Sequence, residues 1–247
     1  MRTIITAGHL TTGNTLCFIL YELARHPDVQ EKVRSEIDMM LAAVHERGKM
    51  DYNMSDLDGM HFVLAVLKEV MRLHPVIYDR TLLAKADDIL PLSKPIVMTN
   101  GKMLSELPVR AGQYVHVSIA GYNRLKDVWG SDAHAFRPGR WFDGSITTRS
   151  NFGVFGNLAN FAVAAYPALG GDLRALLPSS IAIVNKLIVH KRDREETFMV
   201  EILRNFHISL PEEKILRASS GIMSPMLSGS PEKGMQLPSS FLRFCDM

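Results

Sequence analysis

The sequence predicts a mainly α fold with a small β-sheet, on three observations. Val63, Val66, Leu67, Val70 and Met71 recur at helical spacing and form one apolar stripe, which Pro75 terminates. Ile4, Ile5, Leu10, Leu16, Phe18, Ile19, Leu20 and Leu23 mark an earlier helix from Thr3 to Arg25, and Val29, Val33, Ile37 and Leu41 mark a second. Beyond Pro75 the text breaks into short apolar runs between turn residues, the pattern of strands.

The first of these helices carries Ala7-Gly8-His9-Leu10-Thr11-Thr12. Glycine inside a helix costs about 1 kcal/mol relative to alanine, and threonine hydroxyls bond back to the preceding turn and bend it. Small residues and hydroxyls in one turn let a flat ligand approach the backbone. A helix–helix contact at Gly8, with both hydroxyls satisfied locally, accounts for the same residues.

His26-Pro27-Asp28 breaks and restarts the chain, with Pro27 suited to a first helical position and Asp28 to the positive helix end. Ser55 or Asp56 is expected to cap the approach to the next helix, about Met60 to Leu73. On that helix Glu69 and Arg72 sit three apart on the face away from the apolar stripe. Taken alone they read as a solvated ion pair worth about 0.2–0.5 kcal/mol. Val76–Tyr78, Pro95–Met98 and Tyr114–Ile119 read as strands, with turns at Gly101, Pro108 and Gly112. From Asp127 to Phe142 no period survives, and Trp129, Phe136, Trp141 and Phe142 are expected to pin an irregular loop to the core.

The totals narrow the function classes. With 247 residues, 47% apolar and 22% charged, the chain has the balance of a globular protein. A net charge of +2 is too small to argue for nucleic acid or an anionic membrane as partner, and no nucleic acid is expected. Nine histidines show no zinc spacing, so no metal ligand is assigned. Two cysteines, Cys17 and Cys245, exclude a disulfide framework and fit a reducing compartment. No apolar run reaches the length of a membrane span, and no signal peptide is evident. The helical pattern starts directly after Met1, as though text upstream were missing.

Several of these stretches, taken in order, resemble the C-terminal half of a cytochrome P450, most closely the fungal microsomal type. Ala7-Gly8-His9-Leu10-Thr11-Thr12 resembles the family's (A/G)-G-x-(D/E)-T-(T/S) in the long helix over the heme. Glu69 and Arg72 match its E-x-x-R. Phe136-Arg137-Pro138-Gly139-Arg140-Trp141 resembles F-x-P-E-R-W. His26-Pro27-Asp28-Val29-Gln30 and Trp129-Gly130-Ser131-Asp132-Ala133 look like intervening family text.

The resemblance implies a heme-dependent monooxygenase that inserts one oxygen atom from O2 into an organic substrate. An NADPH-dependent reductase would be its partner, and the cytosolic face of the endoplasmic reticulum membrane its location. It implies Thr11 as the catalytic hydroxyl that hydrogen-bonds dioxygen and helps deliver protons. Ala7, Gly8, Arg80 and Phe161 would lie at the heme, with Arg80 toward a propionate. Glu69, Arg72 and Arg140 would form a buried charge cluster holding the loop beneath the heme. The whole chain, 1–247, is then expected to be one incomplete domain.

Three departures qualify the resemblance. Leu10 stands where the family has an acid, and Gly139 where it has Glu. After Asn151–Phe161 the family continues into a loop whose cysteine thiolate binds the heme iron. Here Ala162–Asp172 contains no cysteine. Cys17 is expected to be a small buried hydrophobe and Cys245 lies far downstream, so the axial ligand is missing. Family-like text resumes near Glu195, which makes 162–194 an aberrant segment. Degenerate codons for Ala162–Asp172, read two bases out of frame, permit a cysteine-bearing loop. This is consistent with a frame slip or a misplaced splice junction. Taken literally, the chain is expected to be inactive; the alternative is a non-catalytic remnant or helical interaction fragment that binds no heme.

Overall fold

Helix α4 (His61–Leu73) lies at the centre of the molecule, because its stripe is apolar enough to be enclosed on several sides. The computed structural model describes residues 2–144, 146, 158–160, 195–210, 214–219, 222–233 and 240–243. Helices α1 (Arg2–Arg25) and α2 (Pro27–Glu46) pack against α4. Residues 195–205 form a further helix, α7. Phe18, Ile19 and Leu23 of α1, Val33 and Ile37 of α2, Val63, Val66, Leu67 and Val70 of α4, and Met199 and Leu203 of α7 make one buried core. Burying a side chain of this size contributes roughly 1.5–3 kcal/mol.

The expected boundaries of α1 and α4 agree with the structure to within a residue, and Pro27 occupies the expected start of α2 with Asp28 in its first turn. The cap of α4 differs from the expectation. Ser55 and Asp56 belong to a short helix, α3 (Met54–Asp58), where Asn53 and Asp56 form a capping box. The α4 N-terminus is closed instead by Glu36 of α2, which accepts the backbone N–H groups of Phe62 at 2.9 Å and Val63 at 2.8 Å. An acid from a neighbouring helix thus fills the place of a local cap.

After α4 the chain forms β1 (Asp79–Leu83), β2 (Asp88–Val97), β3 (Met103–Val109) and β4 (Tyr114–Ser118). The short helices α5 (Ile119–Tyr122) and α6 (Lys126–Trp129) follow, and then a 3₁₀ turn (Pro138–Trp141). Beyond α7 come β5 (Phe206–Ser209), β6 (Ile215–Ser219), β7 (Met223–Leu227) and β8 (Ser240–Arg243). Among the described residues the strands form four antiparallel pairs, β1 with β4, β2 with β3, β5 with β8 and β6 with β7. The mainly α fold with small β-structure is as expected, though among the described residues the β-structure is divided into two-stranded pairs, of which only β2–β3 and β6–β7 join consecutive strands.

Val76–Tyr78 is not a strand. Val76 is buried beneath the end of α4 and its carbonyl accepts the Met223 N–H at 2.8 Å, so pairing begins only at Asp79. Phe142 is also more open than expected, at 56% exposure, and stacks on Phe62 at 6.3 Å. Trp129 is buried, and Phe136 and Trp141 pack against the core.

Candidate functional site

Glu69 and Arg72 come from one turn of α4, and Arg140 from the 3₁₀ turn after α6. All three side chains have 0% exposure. Arg72 Nε donates to Glu69 Oε2 and its Nη2 to Oε1, both at 2.9 Å, a two-point fork. Arg140 Nε donates to Glu69 Oε1 at 2.9 Å. The same carboxylate accepts the backbone N–H of Arg137 at 2.9 Å and the Trp141 indole N–H at 3.2 Å.

The remaining guanidinium donors are also used. Arg72 reaches the carbonyls of Asn123 at 2.8 Å, Ala133 at 2.5 Å and Ala135 at 3.0 Å. Arg140 reaches the carbonyls of Trp129 at 3.0 Å, Asp132 at 3.2 Å and Ala135 at 3.3 Å, and Asp132 Oδ1 at 3.2 Å. Each arginine has five N–H donors, and these bonds account for all of them. Burial alone would raise the Asp132 carboxyl, but the Arg140 and Arg137 guanidiniums hold it below its ordinary value. Two carboxylates thus face two buried cations, and the charge is balanced. The solvated ion pair that spacing alone suggests is a saturated interior network.

This network fixes the 123–141 segment against α4. Asn123 extends it: its side chain accepts the Ala159 N–H at 3.1 Å and donates to Asn160 Oδ1 at 2.6 Å. Asn160 in turn donates to the Met71 carbonyl at 2.9 Å. Asn123 and Asn160 were not singled out by sequence, because their partners, the Ala159 N–H, the Met71 carbonyl and each other, lie 36 to 89 positions away and no local spacing reveals such pairings. Trp141 was expected only as an anchor of the loop, and its indole bond to Glu69 adds to that role.

The other expected site residues stand on separate elements. Thr11 lies half-buried on α1, and its carbonyl accepts the hydroxyl of Thr15, one turn on, at 2.8 Å. Ala7 and Gly8 are described as backbone of α1. Arg80 is half-buried on β1, opposite Val117 of β4. Phe161 and the segment 162–194 lie outside the described residues.

The family model for cytochrome P450 matches residues 1–156. The chain belongs to the cytochrome P450 family. It is 30% identical over 237 residues to cytochrome P450 monooxygenase 205 of Postia placenta, covering 96% of this chain and 39% of that protein. With cytochrome P450 monooxygenase 91 of the same fungus the identity is 33% over 242 residues, covering 96% and 41%. A ganoderic acid synthetase of Ganoderma lucidum is 34% identical over 173 residues, covering 69% and 31%. The chain thus spans about two fifths of the length of the Postia relatives it matches.

Membership in the cytochrome P450 family implies heme iron as cofactor, which sets a test for the donors present. Among the described residues the one cysteine is Cys17, half-buried on α1. Burial pushes its thiol above the ordinary value of 9.0, the reverse of what a thiolate ligand needs. The described residues include no group of three or more metal-binding side chains. The described residues hold the buried Glu69–Arg72–Arg140 cluster. Among them no donor suits a thiolate ligand to iron. No helix among the described residues is long and apolar enough to cross a membrane.

Proposed function

We propose that this chain is the C-terminal part of a heme-dependent monooxygenase, which inserts one oxygen atom from O2 into a small organic substrate. Residues 1–247 form one incomplete domain of that enzyme, in which 162–194 is aberrant. In the parent enzyme Thr11 is the catalytic hydroxyl, and Ala7, Gly8, Arg80 and Phe161 lie against the cofactor. An NADPH-dependent reductase supplies electrons, at the cytosolic face of the endoplasmic reticulum membrane. The observation that carries this reading is the Glu69–Arg72–Arg140 network, with all ten guanidinium N–H donors used. A fully satisfied buried network of this kind rigidifies the segment it holds, here 123–141 against α4.

A specific observation favours a second reading for the chain as it stands. Ala162–Asp172 holds no cysteine, and family text resumes only near Glu195. The 247-residue chain is then a remnant that forms no thiolate-ligated heme. Heme titration of the full chain, followed by the carbon monoxide difference spectrum of the reduced form, tests this second reading. The expected result is no thiolate-type band. A thiolate-type band would overturn the remnant reading.

A further inference from the structure

His74, the residue that ends α4, is sealed from solvent with 1% exposure, as is Glu22 of α1 at 1%. Its Nε2 lies 2.6 Å from Glu22 Oε1. The imidazole stacks on Phe18 with centroids 4.5 Å apart and meets the edge of Tyr21 at 6.0 Å. Its other nitrogen, Nδ1, is buried without a hydrogen-bond partner. The pair joins α1 to the end of α4, and bonds of neighbouring residues tie both to β7. The His74 N–H caps α4 through the Val70 carbonyl at 2.7 Å. Two residues on, the Val76 carbonyl accepts the Met223 N–H of β7 at 2.8 Å. Asn14 of α1 donates to the Met223 carbonyl at 3.1 Å and to the Ser224 hydroxyl at 2.9 Å.

We propose that His74 is an acid-sensitive latch, which holds α1, the end of α4 and the β6–β7 pair together while neutral and releases them on protonation. In the neutral ring Nε2–H donates to the Glu22 carboxylate, and Nδ1 carries only a lone pair, which is cheap to leave unmet compared with a buried N–H donor. Protonation places an N–H at Nδ1 with no acceptor, and adds a charge where burial disfavours one.

The surrounding groups set the balance. From α1, Glu22 favours the proton, but Arg25 and His26 compete for the same carboxylate at 3.1 and 3.4 Å. Arg124, after α5, donates to the Leu73 carbonyl beside His74, and the charge of Arg217 on β6 acts on the ring from farther away. Both oppose a second positive charge. Burial, with these arginines, holds His74 below its ordinary value of 6.5 despite the pull of Glu22.

A histidine depressed in the folded state stabilises it fully above its unfolded value and loses that contribution as pH falls below it. The junction should therefore open increasingly as pH falls below 6.5. The test is amide hydrogen exchange of the full chain from pH 7.5 to 5, corrected for intrinsic exchange, read at α1, residues 70–76 and β7. Opening at these segments is expected to rise about tenfold per pH unit below the histidine value, one proton per opening. His74→Asn should remove this dependence. If that variant does not fold, wild-type exchange still decides. A pH-independent opening at the junction, or an unchanged rise in a folded His74→Asn, would overturn the latch.

Discussion

Glu69 Oε1 accepts the Nε–H of Arg140 at 2.9 Å across 71 positions of sequence, with both side chains fully enclosed. That single bond ties the central helix to the irregular segment that follows the small strands. Its strength lies in completeness, because a buried charge is tolerable only when its partners and remaining donors are all met.

Removal of the shared acid should therefore be severe. Glu69→Ala leaves Arg72 and Arg140 buried without their carboxylate, a loss of about 3–5 kcal/mol. A domain typically has only about 5–15 kcal/mol in hand. Thermal unfolding by circular dichroism should show a strongly lowered or absent cooperative transition. A loss below about 1 kcal/mol would mean that water or other groups replace the acid.

Arg140→Lys keeps the charge but cannot supply five N–H donors in a planar fork. Its lysine cannot serve Glu69, Trp129, Asp132 and Ala135 together, as Arg140 does. Urea denaturation should place this variant between wild type and Glu69→Ala. A midpoint equal to wild type would show that charge alone suffices.

Glu36 is predicted to behave as a cap supplied from another helix. Glu36→Ala should cost about 1 kcal/mol, while Glu36→Gln, which still accepts from Phe62 and Val63, should lose less. Equal losses for the two variants, measured by urea midpoints, would contradict this ordering.

Gln30 is buried and bridges α2 to the end of α1 and to β5. It donates to the carbonyls of Leu23 at 3.1 Å and Ile208 at 3.0 Å, and accepts the Ile208 N–H at 3.0 Å. Gln30→Leu strands these backbone groups and should cost about 1–3 kcal/mol. Hydrogen exchange should rise first at residues 206–209.

At the alkaline end Tyr52 is distinctive. Partial burial and its hydrogen bond to Glu201 at 2.7 Å push the phenol from 10.0 up to about 12. The neutral form is favoured in the folded state, so this contribution is present below pH 10 and is lost as pH rises toward about 12. Phenolate absorbance of the Glu201→Gln variant should reveal a tyrosine that titrates earlier than in wild type.

The long helices α1, α2 and α4 were legible in the sequence through their period, and prolines mark two of them: Pro27 opens α2 and Pro75 follows α4, whereas the short α3, α5 and α6 have too few turns to show a period. Strand β3 was not, since Ser105, Glu106 and Pro108 interrupt its alternation. Strand β2 was seen only at its end, because Pro91 and Pro95 fall within it and suit a strand paired on one side. Glu69, Arg72 and Arg140 were legible through family resemblance, whereas their spacing alone implied an exposed pair. The bonds of Glu22 to His74 and of Glu36 to the α4 backbone were invisible, because they join residues 52 and 26 apart through packing alone.

The most direct test of the central proposal is the sequence of the native transcript, upstream of Met1 and across Phe161 to Glu195. A longer reading frame with a cysteine in the ligand loop is the predicted result. It would make the parent a heme-thiolate monooxygenase that keeps the Glu69–Arg72–Arg140 network. A transcript that encodes Ala162–Arg194 in frame as printed would contradict that account. The molecule would then be a P450-derived remnant without the thiolate.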